Sequence, residues 1–208
     1  MSDHPILFRA DMVRAILAGA KTQTRRQIKN PEGWRLANPL GNRIGCYLSS
    51  APYFSAEKDI VARFDVGDTM WVRETWRPWI RGWSSHVQYK ADDARSPALG
   101  SDASDAAMAL AEKNGGHWDD GRGQNPDEVN WKPSIFMPRW ASRLTFTVTE
   151  VRAERLTAIT PADVLAEGFA HAGLGATPAD YCRGFREING LGKGADPWVW
   201  AYTFERVA

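Results

Sequence analysis

The sequence predicts a mixed α+β domain: a small β-barrel of about six mainly antiparallel strands, about three short helices and a long polar insertion. Three observations support this prediction. Apolar and polar residues alternate over residues 144–155, as they do in a half-buried strand. Shorter alternating runs recur between turn signals, and only a few segments place helix-start residues before an apolar face. A length of 208 residues suits one domain spanning 1–208.

The N-terminal part is predicted to run from strand to helix to strand. Residues 6–8 form a short apolar run typical of a strand, and residues 12–18 have the apolar face of a helix that ends at a glycine. Residues 21–26 alternate β-branched and polar side chains, which predicts a second strand. Residues 30–60 are rich in Pro, Gly, Asn and Ser and are predicted to be loop, with one short strand near 46–48.

The middle of the chain contains two further strands and the insertion. Residues 69–76 follow a Gly-Asp turn and alternate as a strand does, and residues 87–90 form another short strand. From 92 to 130 the chain is small, polar and Gly-rich, with one Ala-rich helical piece near 102–113. We therefore expect an insertion or a mobile lid over residues 92–130.

The C-terminal part has the clearest helix signals. Thr160 is a typical N-cap residue before a Pro, and Gly168 ends the helix. Glu167 then lies in the last turn, where the helix dipole disfavours a carboxylate by a few tenths of a kcal/mol. A residue placed against local preference is a candidate for function, although a solvated surface Glu is the alternative. A second helix over 177–188 and a last strand over 198–205 complete the prediction.

Composition excludes several classes of protein. The chain has 26 Lys plus Arg and 25 Asp plus Glu, so its net charge of +1 gives no overall attraction to nucleic acid or an anionic membrane. Cys46 and Cys182 lack the close pairing of zinc sites and disulfide frameworks. No stretch reaches the roughly 18 apolar residues of a membrane span. We expect a cytoplasmic protein with no membrane attachment, no metal and no cofactor.

Ten Trp residues are unusual in a chain of this length, and several stand beside Arg or Lys. Either most rings fill a core and stack under guanidinium groups, or they form a base-stacking surface bordered by phosphate-binding cations. Residues 131–140 are apolar, aromatic and bracketed by two prolines, which predicts a stiff extended path. That path is either the rim of a pocket or a connector over the core.

Familiar catalytic motifs are missing from the sequence. It contains no phosphate-binding glycine motif, no close His or Cys cluster and no G-x-S-x-G elbow. The basic run over 21–26 is either a phosphate-contacting edge or a solvated strand border.

Five stretches carry a family resemblance. ILAGAKTQTRR (16–26), VGDTMWVRE (66–74) and AEG (166–168) resemble ASCH domains. WKPSIFMPRWASR (131–143) and PWVW (197–200) look like an ASCH subgroup often found in phages and prophages. Because ASCH domains resemble PUA domains, the resemblance implies a PUA-like barrel.

Family roles include RNA binding, ribonuclease activity and amide hydrolysis by bacterial N4-acetylcytidine amidohydrolases. Those hydrolases use a Lys, a Thr three residues later and a Glu in the helix after a central strand. The resemblance therefore implies that Lys21, Thr24 and Glu167 are the catalytic residues of an amidohydrolase acting on N4-acylated cytidine. This chain is longer than those enzymes, which leaves its substrate open.

The remaining candidate residues concern substrate binding. Glu74 competes with Glu167 for the role of the carboxylate, because it ends a clear strand. The candidate substrate-binding residues are Arg26, Trp71, Arg73, Glu74, Trp76 and Trp140, of which the Trp rings would stack the base.

The three catalytic candidates can perform amide hydrolysis in more than one way. The reaction needs an activated nucleophile, an oxyanion stabiliser and a proton for the departing amine. Our hypothesis is that Glu167 activates water or the Thr24 hydroxyl, and that Lys21 meets the oxyanion and donates the proton. Thr24 is then the nucleophile or a positioning donor.

Three other functions remain open at this point. A non-catalytic module would bind RNA, DNA or a modified base, with a single-stranded nucleic acid rather than a modified nucleoside as its partner. A ribonuclease would use Lys21 to stabilise a pentacoordinate phosphate. A phage-associated structural protein would use its Trp surface to dock another protein.

Overall fold

The computed structural model describes residues 2–29, 34–40, 43–48, 57–81, 84–113, 130–170, 172–174 and 177–207. The described strands are β1 (Asp3–Leu7), β2 (Gln23–Gln27), β3 (Trp34–Leu40), β4 (Arg43–Leu48), β5 (Glu57–Val61), β6 (Thr69–Arg73), β7 (Trp76–Arg81), β8 (Ser84–Tyr89), β9 (Thr145–Arg155) and β10 (Trp198–Arg206). The described helices are α1 (Ala10–Leu17), α2 (Ser101–Glu112), α3 (Pro161–Ala166) and α4 (Pro178–Ile188). The mixed α+β class is therefore confirmed.

The described strands lie in three sheets. Their orders are β1-β6-β9-β10-β2, β3-β4-β5 and β7-β8. Strand β10 pairs antiparallel with both β9 and β2, and the register aligns Tyr202 with Thr24. The five-stranded sheet has β1 and β2 at its edges, so it is open in the described residues, and the closed barrel stays a prediction.

The chain divides into two compact units. The first unit comprises Met1–His4, Ala15–Met70 and Phe146–Ala208, and the second comprises Pro5–Arg14 and Trp71–Thr145. A core cluster in the first unit contains Leu156, Ile159, Val164, Phe169, Tyr181, Cys182, Phe185 and Val199. A core cluster in the second contains Trp76, Val87, Tyr89, Met137 and Ala141. The prediction of one domain over 1–208 stays a prediction.

Helix α3 begins as its sequence predicts. The Thr160 hydroxyl accepts a hydrogen bond from the Asp163 N–H at 3.2 Å, and the Asp163 carboxylate accepts one from the Thr160 N–H at 3.0 Å. This reciprocal arrangement satisfies N–H groups that a helix start leaves without partners. Helix α4 also begins after a Thr N-cap, since the Thr177 hydroxyl accepts a hydrogen bond from the Asp180 N–H at 3.1 Å. The strands predicted over 144–155 and 198–205 are also confirmed, as β9 and β10.

Three sequence predictions are wrong. Residues 30–60 are predicted to be loop with one short strand near 46–48, but they contain most of the sheet β3-β4-β5. Only the strand near 46–48 is confirmed, as the end of β4. The predicted strand 69–76 ends at Arg73. The next two residues belong to no strand, and β7 begins at Trp76. Residues 131–140 are not extended, since Ser134–Phe136 and Arg139–Ala141 form two 3-10 turns.

The predicted insertion is described only in part. Helix α2 lies where the Ala-rich pattern predicts it, with Ala107 and Ala111 buried. Residues 114–129 lie outside the described residues, and so does the prediction of a lid there. No described helix is both long enough and apolar enough to cross a membrane.

Candidate functional site

Lys21 and Glu167 form a buried ion pair in the first unit. The Lys21 Nζ donates to Glu167 Oε2 at 2.8 Å, and the two side chains are only 2% and 4% exposed. The backbones of the two residues also form an antiparallel β-bridge. Two of the three predicted catalytic residues, 146 positions apart in the chain, are therefore in contact.

The Lys21 ammonium donates to three acceptors. Besides Glu167 Oε2, Nζ bonds the Gln23 carbonyl oxygen at 2.7 Å and the Glu167 carbonyl oxygen at 2.9 Å. Burial lowers the pKa of Lys21 below that of a free lysine, although the attraction of the Glu167 carboxylate opposes this shift. A substrate oxygen that is to meet this ammonium must replace one of the three acceptors.

The end of α3 explains why Glu167 faces Lys21. Glu167 is the C-cap of α3, and Gly168 follows with a φ of +68°, a conformation that favours glycine. The Thr22 N–H then bonds the Ala166 carbonyl oxygen at 2.8 Å, which fixes the start of β2 against the helix end. The glycine required at the helix end therefore brings the carboxylate and the ammonium together.

Arg25 extends the ion pair into a network. Its Nη1 donates to Glu167 Oε1 at 3.1 Å and to the Gln23 side-chain oxygen at 2.8 Å. Its Nη2 lies 2.7 Å from Glu154 Oε1 and 3.3 Å from Asp163 Oδ2. The Arg25 side chain is fully buried, and these carboxylates raise its pKa even though burial opposes the shift. A buried charge is tolerated when it is paired in this way.

Tyr181 lies near Glu167. It lies on α4 and is buried. Burial and the Glu167 charge raise the pKa of Tyr181 well above its usual value, so this phenol stays protonated. The Glu167 carboxylate is therefore held by an ammonium and a guanidinium, with a neutral phenol nearby.

Thr24 and Arg26 are placed differently from Lys21 and Arg25. Thr24 is buried, and in the described part of the chain its hydroxyl is not hydrogen-bonded to Lys21 or Glu167. Because side chains alternate along a strand, Thr24 and Arg26 lie on the opposite face of β2 from Gln23 and Arg25. Arg26 keeps exposed surface, but burial of its guanidinium lowers its pKa, and the charge of Glu167 opposes this shift.

Glu74, the competing carboxylate, lies in the second unit and has its own partner. Arg143 holds it with two hydrogen bonds of 2.9 Å, and the same guanidinium donates twice to Asp92. Burial raises the pKa of Glu74, whereas the Arg143 hydrogen bond and charge lower it. Arg143 also lies over the Tyr89 ring at 4.0 Å. Glu74 is thus part of a buried salt bridge.

The Trp residues predicted to stack a base differ in exposure. Trp71 is buried, with the guanidinium groups of Arg73 and Arg139 at 4.8 and 5.7 Å from its ring centroid. Trp76 is completely buried and packs edge-on against Trp140, which is half-buried. Of the three rings, Trp140 has the most exposed surface. The substrate-binding roles of these residues and of Arg73 stay predictions.

Five residues of this site are not among the candidates that the sequence indicates: Gln23, Arg25, Glu154, Asp163 and Tyr181. Their contacts join positions that are far apart in the chain, which local patterns do not reveal. The one available indication was Asp163, whose position after Thr160 predicts a cap. We find no group of three or more potential metal ligands among the described residues.

Comparisons with family models, with curated proteins and with solved structures find no match for this chain. The resemblance to ASCH domains therefore stays a prediction, and the site is interpreted from its own chemistry.

Proposed function

We propose that this protein hydrolyses an acyl amide on the exocyclic amine of a modified cytidine, such as N4-acetylcytidine. The observation that carries the proposal is the buried contact between Lys21 Nζ and Glu167 Oε2 at 2.8 Å. It supports the pairing of a cation with a carboxylate that the ASCH resemblance implies. The PUA-like barrel, the cytoplasmic location and the phage association expected from that resemblance belong to the same proposal.

The arrangement around Glu167 favours water over Thr24 as the nucleophile. A Thr hydroxyl needs an adjacent base, and the Thr24 hydroxyl is not hydrogen-bonded to Glu167 within the described residues. In the proposed reaction Glu167 takes a proton from water, and the resulting hydroxide forms a bond to the acyl carbon. Thr24 lies on the opposite face of β2, so the proposed reaction assigns it no step.

Lys21 stabilises the oxyanion that forms in this step. The acyl oxygen replaces the Gln23 carbonyl as an acceptor of the Lys21 ammonium, so no proton is left without an acceptor. The bond between the acyl carbon and N4 then breaks, and N4 takes the proton that Glu167 accepted. The products are a carboxylic acid and cytidine, which accounts for all atoms of the water and the amide.

Lys21 and Arg25 fix the orientation of Glu167. Lys21 donates to Oε2 and Arg25 donates to Oε1, so each carboxylate oxygen has a partner. The proposed reaction therefore requires one of these hydrogen bonds to lengthen when Glu167 takes the proton from water. A substrate that displaces water from this site would lower the local dielectric and so strengthen the other charge interactions of Glu167.

The test is turnover of N4-acetylcytidine to cytidine by purified protein. We expect Glu167→Gln and Lys21→Met to lower kcat by at least about 100-fold, since each removes a group acting in the transition state. Glu154→Gln is the matched control, because it alters a carboxylate paired with Arg25 but not one of the reacting groups.

The control separates chemistry from folding. Breaking a buried ion pair also destabilises a protein, by about 3–5 kcal/mol, so circular dichroism must show that each variant is folded at the assay temperature. Equal losses of turnover in Glu154→Gln and Glu167→Gln would contradict the proposal, as would the absence of turnover by folded wild-type protein.

A further inference from the structure

Helix α4 ends at an Asn-Gly pair. Asn189 is the C-cap of the helix, and Gly190 follows it with a φ of +65°, the left-handed conformation that glycine adopts readily. Both residues are exposed, so water reaches them. An Asn before a Gly is chemically labile, because glycine has no Cβ to obstruct attack by its own backbone nitrogen on the Asn side chain. The surface end of α4 therefore contains a reactive pair.

A Schellman motif closes the helix around this pair. The Gly190 N–H bonds the Glu187 carbonyl oxygen at 3.3 Å, and the Leu191 N–H bonds the Arg186 carbonyl oxygen at 2.8 Å. Leu191 also packs against the core cluster of the first unit. Because this contact anchors the residue that follows the pair, the motif opens only when the last turn of α4 frays.

The Asn189 side chain is held as well. Its Nδ2 donates to the Phe185 carbonyl oxygen at 2.7 Å, one turn earlier in α4. To react, its carbonyl carbon must turn towards the Gly190 nitrogen, and that nitrogen must lose its proton. The first change breaks the bond to Phe185, and the second is opposed by the bond from the Gly190 N–H to Glu187. The folded helix end thus protects a pair that its sequence makes labile.

We propose that Asn189 is a deamidation site whose reaction is controlled by opening of the last turn of α4. Hydroxide removes the proton of the Gly190 N–H, and the nitrogen forms a bond to the Asn189 side-chain carbonyl carbon. The bond from that carbon to Nδ2 then breaks, and Nδ2 leaves as ammonia after taking a proton from water, which returns the hydroxide. Water opens the resulting succinimide at either carbonyl, which yields aspartate or isoaspartate. One water is consumed and one ammonia is released.

The products weaken the same helix end. An aspartate carboxylate at the C-cap meets the negative end of the helix dipole. Isoaspartate instead adds one carbon to the main chain, so the two Schellman hydrogen bonds cannot both keep their geometry. Since α4 contributes Tyr181, Cys182 and Phe185 to the core cluster, its last turn borders the packed interior of the first unit. This inference is independent of the proposed hydrolysis of an acyl amide.

The test is the rate of deamidation in purified protein at mildly alkaline pH, measured from the mass of the peptide containing Asn189 after proteolysis. Asn189 should react at least about tenfold more slowly in native buffer than in urea, because the reaction needs a local opening. The second Asn-Gly pair of the sequence, at 114–115, lies outside the described residues. In urea its peptide shows in the same sample that the conditions support the reaction.

Leu191→Ala removes the anchor of the Schellman motif and leaves the Asn-Gly pair unchanged. In native buffer it should accelerate deamidation of Asn189 at least about fivefold. Leu174→Ala is the matched control, because Leu174 packs against the same core cluster but lies outside α4. It should leave the rate within about twofold of wild type. Circular dichroism must show that both variants are folded.

Three results would each overturn the proposal. The first is that Asn189 does not deamidate in urea while the pair at 114–115 does, which would remove the site itself. The second is an equal rate for Asn189 in native buffer and in urea, which would remove the protection by the helix end. The third is an equal change of rate in Leu191→Ala and Leu174→Ala, which would assign control to the whole core rather than to the last turn of α4.

Discussion

Replacing Gly168, the residue after Glu167, with Ala should destabilise the first unit. Gly168 has a φ of +68°, and a Cβ added to it would lie 2.8 Å from the Ala15 Cβ and 2.9 Å from the Lys21 Cβ. Separations below 3.0 Å force atoms to move. Both neighbours are Cβ atoms close to the backbone, so they cannot rotate away as the end of a long side chain would.

The expected cost has two parts. The left-handed conformation costs a residue with a Cβ about 1–2 kcal/mol. Overpacking of a methyl group in a filled interior costs about 1–3 kcal/mol. The free energy of unfolding should therefore fall by about 2–5 kcal/mol, and displacement of Lys21 should weaken its bond to Glu167.

The assay is urea unfolding of Gly168→Ala beside Gly19→Ala. Gly19 has a similar φ of +72°, but a Cβ there would meet no atom within 4 Å. Gly19→Ala should therefore show only the backbone cost of about 1–2 kcal/mol. Equal midpoints for the two variants, with equal slopes, would refute the packing argument.

Three more predictions follow from the ion pairs. Asp163→Asn should cost about 1–2 kcal/mol at neutral pH; hydrogen bonds and charge outweigh burial and lower the pKa of Asp163 to about 2. That cost should shrink in acid unfolding as the pH falls from about 4 towards about 2, where wild-type Asp163 is protonated too. Glu74→Gln should cost about 1.5–3 kcal/mol in urea unfolding, because it weakens two charged hydrogen bonds while Arg143 keeps Asp92 as a partner. Tyr181→Phe should change stability by less than about 1.5 kcal/mol in thermal unfolding, because the ring and its packing in the core are kept.

The sequence predicts those parts of the fold where local patterns and packing agree. Strand β9 alternates along its length, and α3 has its cap, its Pro and its terminal Gly in the expected places. Of the sheet β3-β4-β5 the sequence predicts only the strand near 46–48, because Pro, Gly and Asn favour loops when read locally. In the structure Pro39 lies on the edge strand β3 beside a register shift, where a missing N–H does little harm.

The candidate site was only partly predictable for a related reason. The resemblance singled out Lys21 and Glu167, but sequence does not show that their charges are buried together. Nor does it distinguish Arg25 from Arg26, which are neighbours in the chain. One is fully buried among carboxylates and the other is exposed, because successive residues of a strand face opposite ways.

Two ion pairs join the α3 region to residues 21–25, Asp163 with Arg25 and Glu167 with Lys21. An inserted residue between these two carboxylates would rotate one relative to the other by about 100° and shift it by about 1.5 Å. Only one of the two attachments would then survive. The spacing between positions 163 and 167 is therefore set by the two cations that the carboxylates meet as well as by the helix itself.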